Sequence, residues 1–331
     1  MESVLVTGGA GYVGSHTAKA LAKHGFRPVV LDNLSAGHEW AVKWGPLVVG
    51  DIGDYELVRE VIERYEIRAV AHLAASAYVG ESMRQPSKYF ENNVCKSLAL
   101  CKAVLDSGAM PMIFSSTCAT YGTPRELPIQ EHFEQRPENP YGDSKLFIEK
   151  AIRWYDQAYG LRSVSLRFFN AAGADPDGEI GESHTPETHL IPLVIESALG
   201  LGRRVEIHGS DYATPDGTAV RDFVHVCDLA DAHAKAVRYL LNGGPTVSCN
   251  LGTGRGYSVR EVISAVEEVA GVRIKTVFKE RRPGDPAALV ADAREANRIL
   301  NWTPKYRNLQ SIVGTAWKWH CSKSQMEIAA V

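Results

Sequence analysis

Cysteine pairing is absent from this sequence. The six cysteines (Cys95, Cys101, Cys118, Cys227, Cys249 and Cys321) are scattered, with no Cys-x-x-Cys pair. Neither a disulfide framework nor a zinc site is expected from them, and a reducing cytoplasmic setting is the simplest reading. The eleven histidines form no His-x-x-x-His pair of the zincin type, so no metal is expected. Charge of one sign is also missing. With 36 Lys and Arg against 39 Asp and Glu, the net charge of −3 gives no electrostatic case for nucleic acid or a membrane surface. No apolar run has the length of a membrane span, and the N-terminus enters Ser3-Val4-Leu5-Val6-Thr7 without a basic, cleavable leader. No internal repeat or low-complexity segment is apparent. What remains is ordinary: 331 residues, 45% hydrophobic and 23% charged, enough for two cores or one domain with a large insertion.

What is present is a glycine turn in a telling place. Ser3 to Thr7, short and β-branched, leads directly into Gly8-Gly9-Ala10-Gly11-Tyr12-Val13-Gly14. A helical face follows through Val13, Thr17, Ala20, Leu21 and His24, and then a second strand, Pro28 to Leu31, ends at Asp32-Asn33. Strand, glycine turn, helix, strand and acid in that order form a βαβ dinucleotide-binding unit. Gly8 permits the tight turn, Gly11 lets backbone N–H groups reach a pyrophosphate, and Gly14 brings the helix close to the sheet. Asp32 is placed to accept from ribose hydroxyls. A carboxylate there repels a 2′-phosphate, which favours NAD over NADP.

The alternation continues for about 170 residues. Strands are expected at Leu47–Gly50, Ala69–Leu73, Met112–Ser116 and Ser163–Arg167, with helices at about 54–65, 87–106 and after Pro140. The fold class expected is α/β: a Rossmann-type, doubly wound, mostly parallel sheet with a smaller α+β C-terminal substrate domain. Ligands in such sheets bind beyond the carboxyl ends of the strands, where Asp32, Asp51, Ala74, Thr117 and Phe169 fall. In Asn139-Pro140-Tyr141-Gly142-Asp143-Ser144-Lys145, Tyr141 and Lys145 share a helix face. A nearby cation favours phenolate, and a Tyr brought from about 10 to roughly 7 becomes a general base, at about 4 kcal/mol of differential stabilisation. One Lys is too little for that, and an oxidised nicotinamide ring would supply a second charge.

The chain resembles the extended short-chain dehydrogenase/reductase family, and is particularly similar to the UDP-glucose (UDP-galactose) 4-epimerases. The likeness rests on Thr7 to His16, Leu31-Asp32-Asn33-Leu34, Gly50-Asp51-Ile52, Val79-Gly80-Glu81-Ser82, Asn92-Asn93-Val94, Phe114 to Thr117, Asn139 to Gly142 and Arg167-Phe168-Phe169-Asn170. The resemblance implies a catalytic set of Thr117, Tyr141 and Lys145: Thr117 bonding the reacting hydroxyl, Tyr141 moving its proton and Lys145 holding the nicotinamide ribose. It implies cofactor contacts from Gly8, Gly11, Tyr12, Val13, Gly14, Asp32, Asn33, Asp51, Ile52, Ala74, Ala75, Asn93 and Phe169. A homodimer through helices at about 87–106 and 142–159 is also implied, with Leu98, Cys101 and Leu105 supplying part of an apolar stripe that core packing explains equally well.

From about Asp175 the strand rhythm stops and Gly and Pro become frequent. By resemblance, residues 1–174 form the NAD-binding domain, with a returning segment near 224–256, and 175–331 mainly bind the UDP-sugar. Arg221 and Arg282 match positions that hold the nucleotide diphosphate; two guanidinium forks suit it because each binds bidentately. Asp285 would accept from the nucleotide ribose, Asn170, His189 and Leu190 would contact the substrate, with His189 at a position that meets a diphosphate oxygen, and Leu289 would help set the size of the sugar pocket. Three positions depart from the family pattern. His189 stands where many epimerases have Asn, so its bond would depend on tautomer or protonation. Ala77 replaces a Lys found in some members, and Leu289 is intermediate in size where a bulky aromatic restricts N-acetylated sugars. UDP-glucose/UDP-galactose 4-epimerisation is the leading expectation. A UDP-xylose/UDP-arabinose epimerase, a broader enzyme accepting N-acetylhexosamines, and a catalytically silent NAD-binding sensor remain as alternatives. A 4,6-dehydratase fits less well, since Cys118-Ala119 follow Thr117 in place of Asp-Glu.

Overall fold

The computed structural model describes residues 1–329 other than 202, 203 and 283, with side chains described as far as residue 324. Its first half alternates β1 (Ser3–Thr7), α1 (Tyr12–Lys23), β2 (Arg27–Asp32), β3 (Leu47–Val49), α2 (Tyr55–Arg64) and β4 (Ile67–His72). Then come α3 (Val79–Ser82), α4 (Pro86–Tyr89), α5 (Lys96–Asp106), β5 (Met112–Thr117), α6 (Pro140–Tyr159) and β6 (Ser163–Phe168). The second half contains β7 (Asn170–Ala172), α7 (Leu190–Ala198), β8 (Val205–His208), β9 (Val220–Arg221), β10 (Phe223–His225), α8 (Val226–Leu241) and β11 (Val247–Leu251). It ends with β12 (Tyr257–Ser258), α9 (Val259–Ala270), β13 (Thr276–Lys279), β14 (Ala288–Leu289), α10 (Arg294–Leu300) and α11 (Leu309–Ala329).

Seven strands form one parallel sheet in the order β11-β6-β5-β4-β1-β2-β3. The order reverses between β1 and β4, and that switch point opens the crevice where ligands of doubly wound sheets sit. The pleat sorts β1 between two cores. Val4 and Val6 join a cluster under α1 and α8, while Leu5 joins Val29, Leu31, Val58, Leu100 and Ile148 under α2, α5 and α6. All five β1 residues are buried, as expected for a strand covered on both faces. A third core gathers Ile191, Val194, Ile207, Val262, Val266 and Ile312 from α7, β8, α9 and α11. β11 comes from the returning segment and pairs with β6 from Val247↔Val164 to Leu251↔Phe168.

Two sequence expectations change. The helix expected at about 87–106 is α4 and α5 joined by a π-helical turn over Phe90–Cys95. Such a turn inserts an extra residue, and helical π segments concentrate at functional sites. The stripe of Leu98, Cys101 and Leu105 is core packing: Cys101 is fully buried, and both leucines pack against the same cluster. On α6, Ile148 and Ile152 are buried, each worth about 2 kcal/mol, and they anchor the helix whose first turns carry Tyr141 and Lys145.

Candidate active site

The carboxyl ends of β1, β2, β4, β5 and β6 open into one cleft of about 1920 Å³. Pockets for one small ligand run to about 300–1,000 Å³, so this cleft has room for two. Gly8 has φ +71°, and a Cβ there would lie 2.6 Å from the Ala74 nitrogen. A Cβ on Gly14 would lie 2.0 Å from the Gly8 oxygen, so the turn and the start of α1 close on each other only with glycine. α1 has Gly11 as its N-cap, no side-chain cap bond and no acid in its first turn. Its leading N–H groups therefore face the cleft as an anion site.

Around that turn the acids are fixed. Asp32 accepts from the Ala10 nitrogen at 2.9 Å and the Leu34 nitrogen at 2.8 Å. Asp51 accepts from Lys96 at 2.7 Å, from Asn33 at 3.0 Å and from the Gly53 nitrogen at 2.8 Å. Burial raises its pKa, but the Lys96 bond and the others outweigh that and hold the carboxyl below its ordinary value. Tyr12, Val13, Ile52, Ala74, Ala75 and Phe169 complete this end of the cleft. These features fit a dinucleotide: a helix N-terminus for pyrophosphate, a carboxylate at the end of β2 for ribose, apolar walls for rings.

Asn93 is the exception among the expected cofactor contacts. It is buried behind the cleft wall, exchanging two hydrogen bonds with Ser76 (2.8 and 2.9 Å) and donating to Ser144 at 3.1 Å. It positions the loop after β4, and its neighbour Asn92 lines the cleft.

The residues expected to be catalytic converge from two elements, β5 and α6. Thr117 ends β5, its hydroxyl accepting from the Ala119 nitrogen at 3.1 Å and bonding the Tyr141 phenol. Asn139 caps α6 by accepting from the Gly142 nitrogen at 2.9 Å, and Pro140 sits in the first turn. Lys145, one turn beyond Tyr141, is buried and donates to the Ser115 oxygen at 2.9 Å. The electrostatics depart from the expectation that Lys145 depresses Tyr141. Burial pushes the phenol up to about 12, the Thr117 bond acting against it, while burial pulls Lys145 down to about 7 against the pull of Glu149.

At the other end, β9 places Arg221 beside Leu289, its register partner on β14. The Arg221 guanidinium pairs with Asp285 and donates to the Pro286 oxygen at 2.8 Å and the Val220 oxygen at 2.7 Å. Arg282 lines the same wall and is exposed; Pro283, within its motif, lies outside the described residues. Asn170, His189 and Leu190 also line the cleft. Sequence reasoning missed two contributors to this wall. Arg204 stands just before β8, and Glu182, His184 and Glu187 gather around His189. His189 is raised to about 10 and His184 to about 9: burial lowers both, but Glu182 and Glu187 outweigh it.

Residues 4–252 match the NAD dependent epimerase/dehydratase family. The chain belongs to that family. It is 51% identical over 324 residues to a UDP-glucose 4-epimerase of Rhizobium meliloti (strain 1021), covering 98% of each chain. A crystal structure of UDP-glucose 4-epimerase from Brucella ovis in complex with NAD superposes with TM-score 0.94 at 50% identity, covering 96% of this chain and 98% of that one. The UDP-glucose 4-epimerase from Bifidobacterium longum in complex with NAD+ and UDP gives TM-score 0.92 at 37% identity, over 97% and 99%. The family assignment accords with the all-parallel sheet and the glycine cradle. Among the described residues, no helix of this family member is long and apolar enough to cross a membrane.

Proposed function

We propose that the protein is an NAD-dependent 4-epimerase that interconverts UDP-glucose and UDP-galactose through a transient 4-keto sugar. The observation that carries this reading is a single cleft with a dinucleotide cradle at one end, an arginine wall at the other, and Thr117, Tyr141 and Lys145 between them. When bound, NAD⁺ supplies the acceptor for the C4 hydride and returns it. Tyr141 takes the proton from the sugar 4-OH and gives it back, Thr117 orients that hydroxyl, and Lys145 holds the nicotinamide ribose. Arg221 and Arg282 clamp the diphosphate and Asp285 receives the nucleotide ribose. Firm anchoring of UDP with few specific contacts to the sugar lets the keto sugar present either face.

The same reading assigns residues 1–174 and the returning segment 224–256 to the cofactor and the rest of 175–331 mainly to the UDP-sugar. It takes the protein to act in the cytoplasm as a homodimer. Phe147 and Trp154 are 52% and 67% exposed on α6 and provide an apolar face for a second copy. The deciding experiment incubates the purified protein with UDP-glucose, UDP-galactose, UDP-xylose and UDP-N-acetylglucosamine and compares kcat/KM. Highest kcat/KM on the UDP-hexose pair supports the proposal. Preference for UDP-xylose or the N-acetylated sugar reassigns the substrate, and no turnover on any of them leaves an NAD-binding sensor.

A further inference from the structure

The loop that leads into α7 gathers Glu182, His184, Glu187 and His189, whose ligand atoms all lie within 4.8 Å of one another. Glu182 Oε1 is 3.2 Å from His184 Nδ1 and 2.7 Å from His189 Nδ1; Glu187 Oε2 is 3.6 Å from His184 Nδ1 and its Oε1 3.2 Å from His189 Nδ1. Four ligands held at about 2.05 Å from a tetrahedral ion stand about 3.3 Å apart, a value that the four N···O separations, 2.7 to 3.6 Å, bracket. The directions carry as much weight as the distances. Glu182 Oε1, His184 Nδ1 and His189 Nδ1 are buried and make no hydrogen bond, although each has a partner of opposite character within reach. In an ion-pair network each ring N–H would aim along one N···O line. Here no such aligned bond is made, although His189 Nδ1 stands 2.7 Å from Glu182 Oε1.

A second cluster gives the contrast. Asp175, Asp177 and Glu179 also converge, but the Lys19 ammonium sits among them and donates at 2.8, 3.0 and 2.5 Å. That site already has its cation. The ion-pair partners of Glu182 and Glu187 are His184 and His189, and the nearby Lys323 ammonium donates to the Ser183 hydroxyl at 2.9 Å.

We propose that Glu182, His184, Glu187 and His189 form a tetrahedral site for a divalent transition ion of zinc type, bound at one wall of the cleft. Two imidazoles and two carboxylates are a donor set that zinc takes readily, and carboxylate-rich geometry suited to magnesium would need six oxygens. The outer contacts are those a metal loop requires. Glu187 Oε1 accepts from the Thr188 and His189 nitrogens at 2.7 and 2.8 Å, which orients the carboxylate so that Oε2 faces His184, and the Glu182 carbonyl accepts from Trp319 Nε1 at 2.9 Å. The ion staples the loop 182–189 to the N-terminus of α7, where His189 is the N-cap. It also settles His189's tautomer. With Nδ1 on the metal, Nε2 carries the proton, and a neutral imidazole keeps a fixed donor at the cleft. This departs from the expectation of no metal, and it stands independently of the epimerase reading.

The test is the metal content of untagged, NAD-bearing full-length protein after desalting, by elemental mass spectrometry. About one zinc per chain is expected, falling more than tenfold in His184→Ala and in Glu182→Gln while bound NAD is unchanged. Replacement by Co²⁺ gives the strong visible bands of tetrahedral cobalt in the wild type and none in His184→Ala. Wild-type protein that holds less than about a tenth of an equivalent and develops no cobalt bands when offered Co²⁺ overturns the proposal. So does metal retained undiminished by both variants, which places it elsewhere.

Discussion

Burial of the Tyr141 phenol pushes its pKa up to about 12, with the Thr117 hydroxyl acting in the opposite direction. At pH 7 a phenol of that pKa is ionised in about one molecule in 10⁵. The Lys145 ammonium is tied to the Ser115 oxygen at 2.9 Å and is itself lowered to about 7 by burial. A unit positive charge about 5 Å away, in an effective dielectric of about 20, favours phenolate by about 3 kcal/mol, or about 2.4 pKa units. Two such charges together bring a pKa near 12 to about 7. One is the charge that bound NAD⁺ would bring, and the other is Lys145, one helical turn from Tyr141, once it is protonated. The perturbation is cofactor occupancy, and the control is Tyr141→Phe. The assay is the ultraviolet tyrosinate difference spectrum, wild type minus Tyr141→Phe, titrated with and without NAD⁺. The expected result is one phenol titrating near neutrality with NAD⁺ and several units higher without it. Tyr141→Phe loses about 10²–10⁴ in kcat. If no phenol titrates below about 10 with NAD⁺ bound, while the enzyme turns over at pH 7, the reasoning is refuted.

Arg221→Leu weakens UDP binding by about 10- to 100-fold by calorimetry, the loss of charge-assisted bonds worth about 1.5–3 kcal/mol, and leaves NAD content alone. Equal affinities in the variant and wild type would remove Arg221 from the diphosphate site. Glu149→Gln strands the guanidinium of Arg167, which binds both Glu149 oxygens at 3.0 and 2.6 Å in a buried network with Ser116. Denaturant unfolding should show a loss of about 3–5 kcal/mol; a change under 1 kcal/mol would mean the pair is replaceable. His233, buried between Ser115 and the Leu229 carbonyl, is lowered by burial to about 4. The unfolded chain protonates near pH 6.5 and the folded chain does not, so stability present above pH 6.5 is lost as pH falls toward 4. The stability of wild type relative to His233→Gln therefore falls by about 2 kcal/mol between pH 7.5 and 5, and a constant difference would sink the assignment.

The sheet was legible because its signals are local. Glycine at 8, 11 and 14, an acid at 32, and apolar runs of strand length between helical stretches each encode one backbone conformation. Features that depend on which neighbour an element meets were not legible. Periodicity places Leu98, Cys101 and Leu105 on one face of α5 but cannot say whether the sheet or a second copy covers it. Asn92 and Asn93 are adjacent in sequence, and the π turn sends one to the cleft and the other behind it. No template of helical or strand spacing contains that turn. The Glu182 to His189 cluster escaped for a related reason: its spacing of two, three and two belongs to neither a helix nor a strand, so only the folded loop brings the four together.

The two ends of the cleft are held by different means, and that difference bears on how each ligand exchanges. The cofactor end is built from backbone: the Gly8 turn against Ala74, the bare N-terminus of α1, and Asp32 locked by the Ala10 and Leu34 amides. Those groups sit on the ends of a seven-stranded sheet and need little ordering when a ligand arrives, so binding there loses little entropy. The nucleotide end is built from side chains on two-residue strands and the segment 281–286, with Arg282 exposed and Arg221 already paired to Asp285. On the proposed reading, a UDP moiety entering there would have to divide the Arg221 fork with Asp285 and order Arg282, and both steps would subtract from its affinity. The construction thus favours a resident dinucleotide and an exchangeable nucleotide sugar. A reaction that oxidises and then reduces the same carbon requires that asymmetry, because the carrier of the hydride has to outlast the substrate.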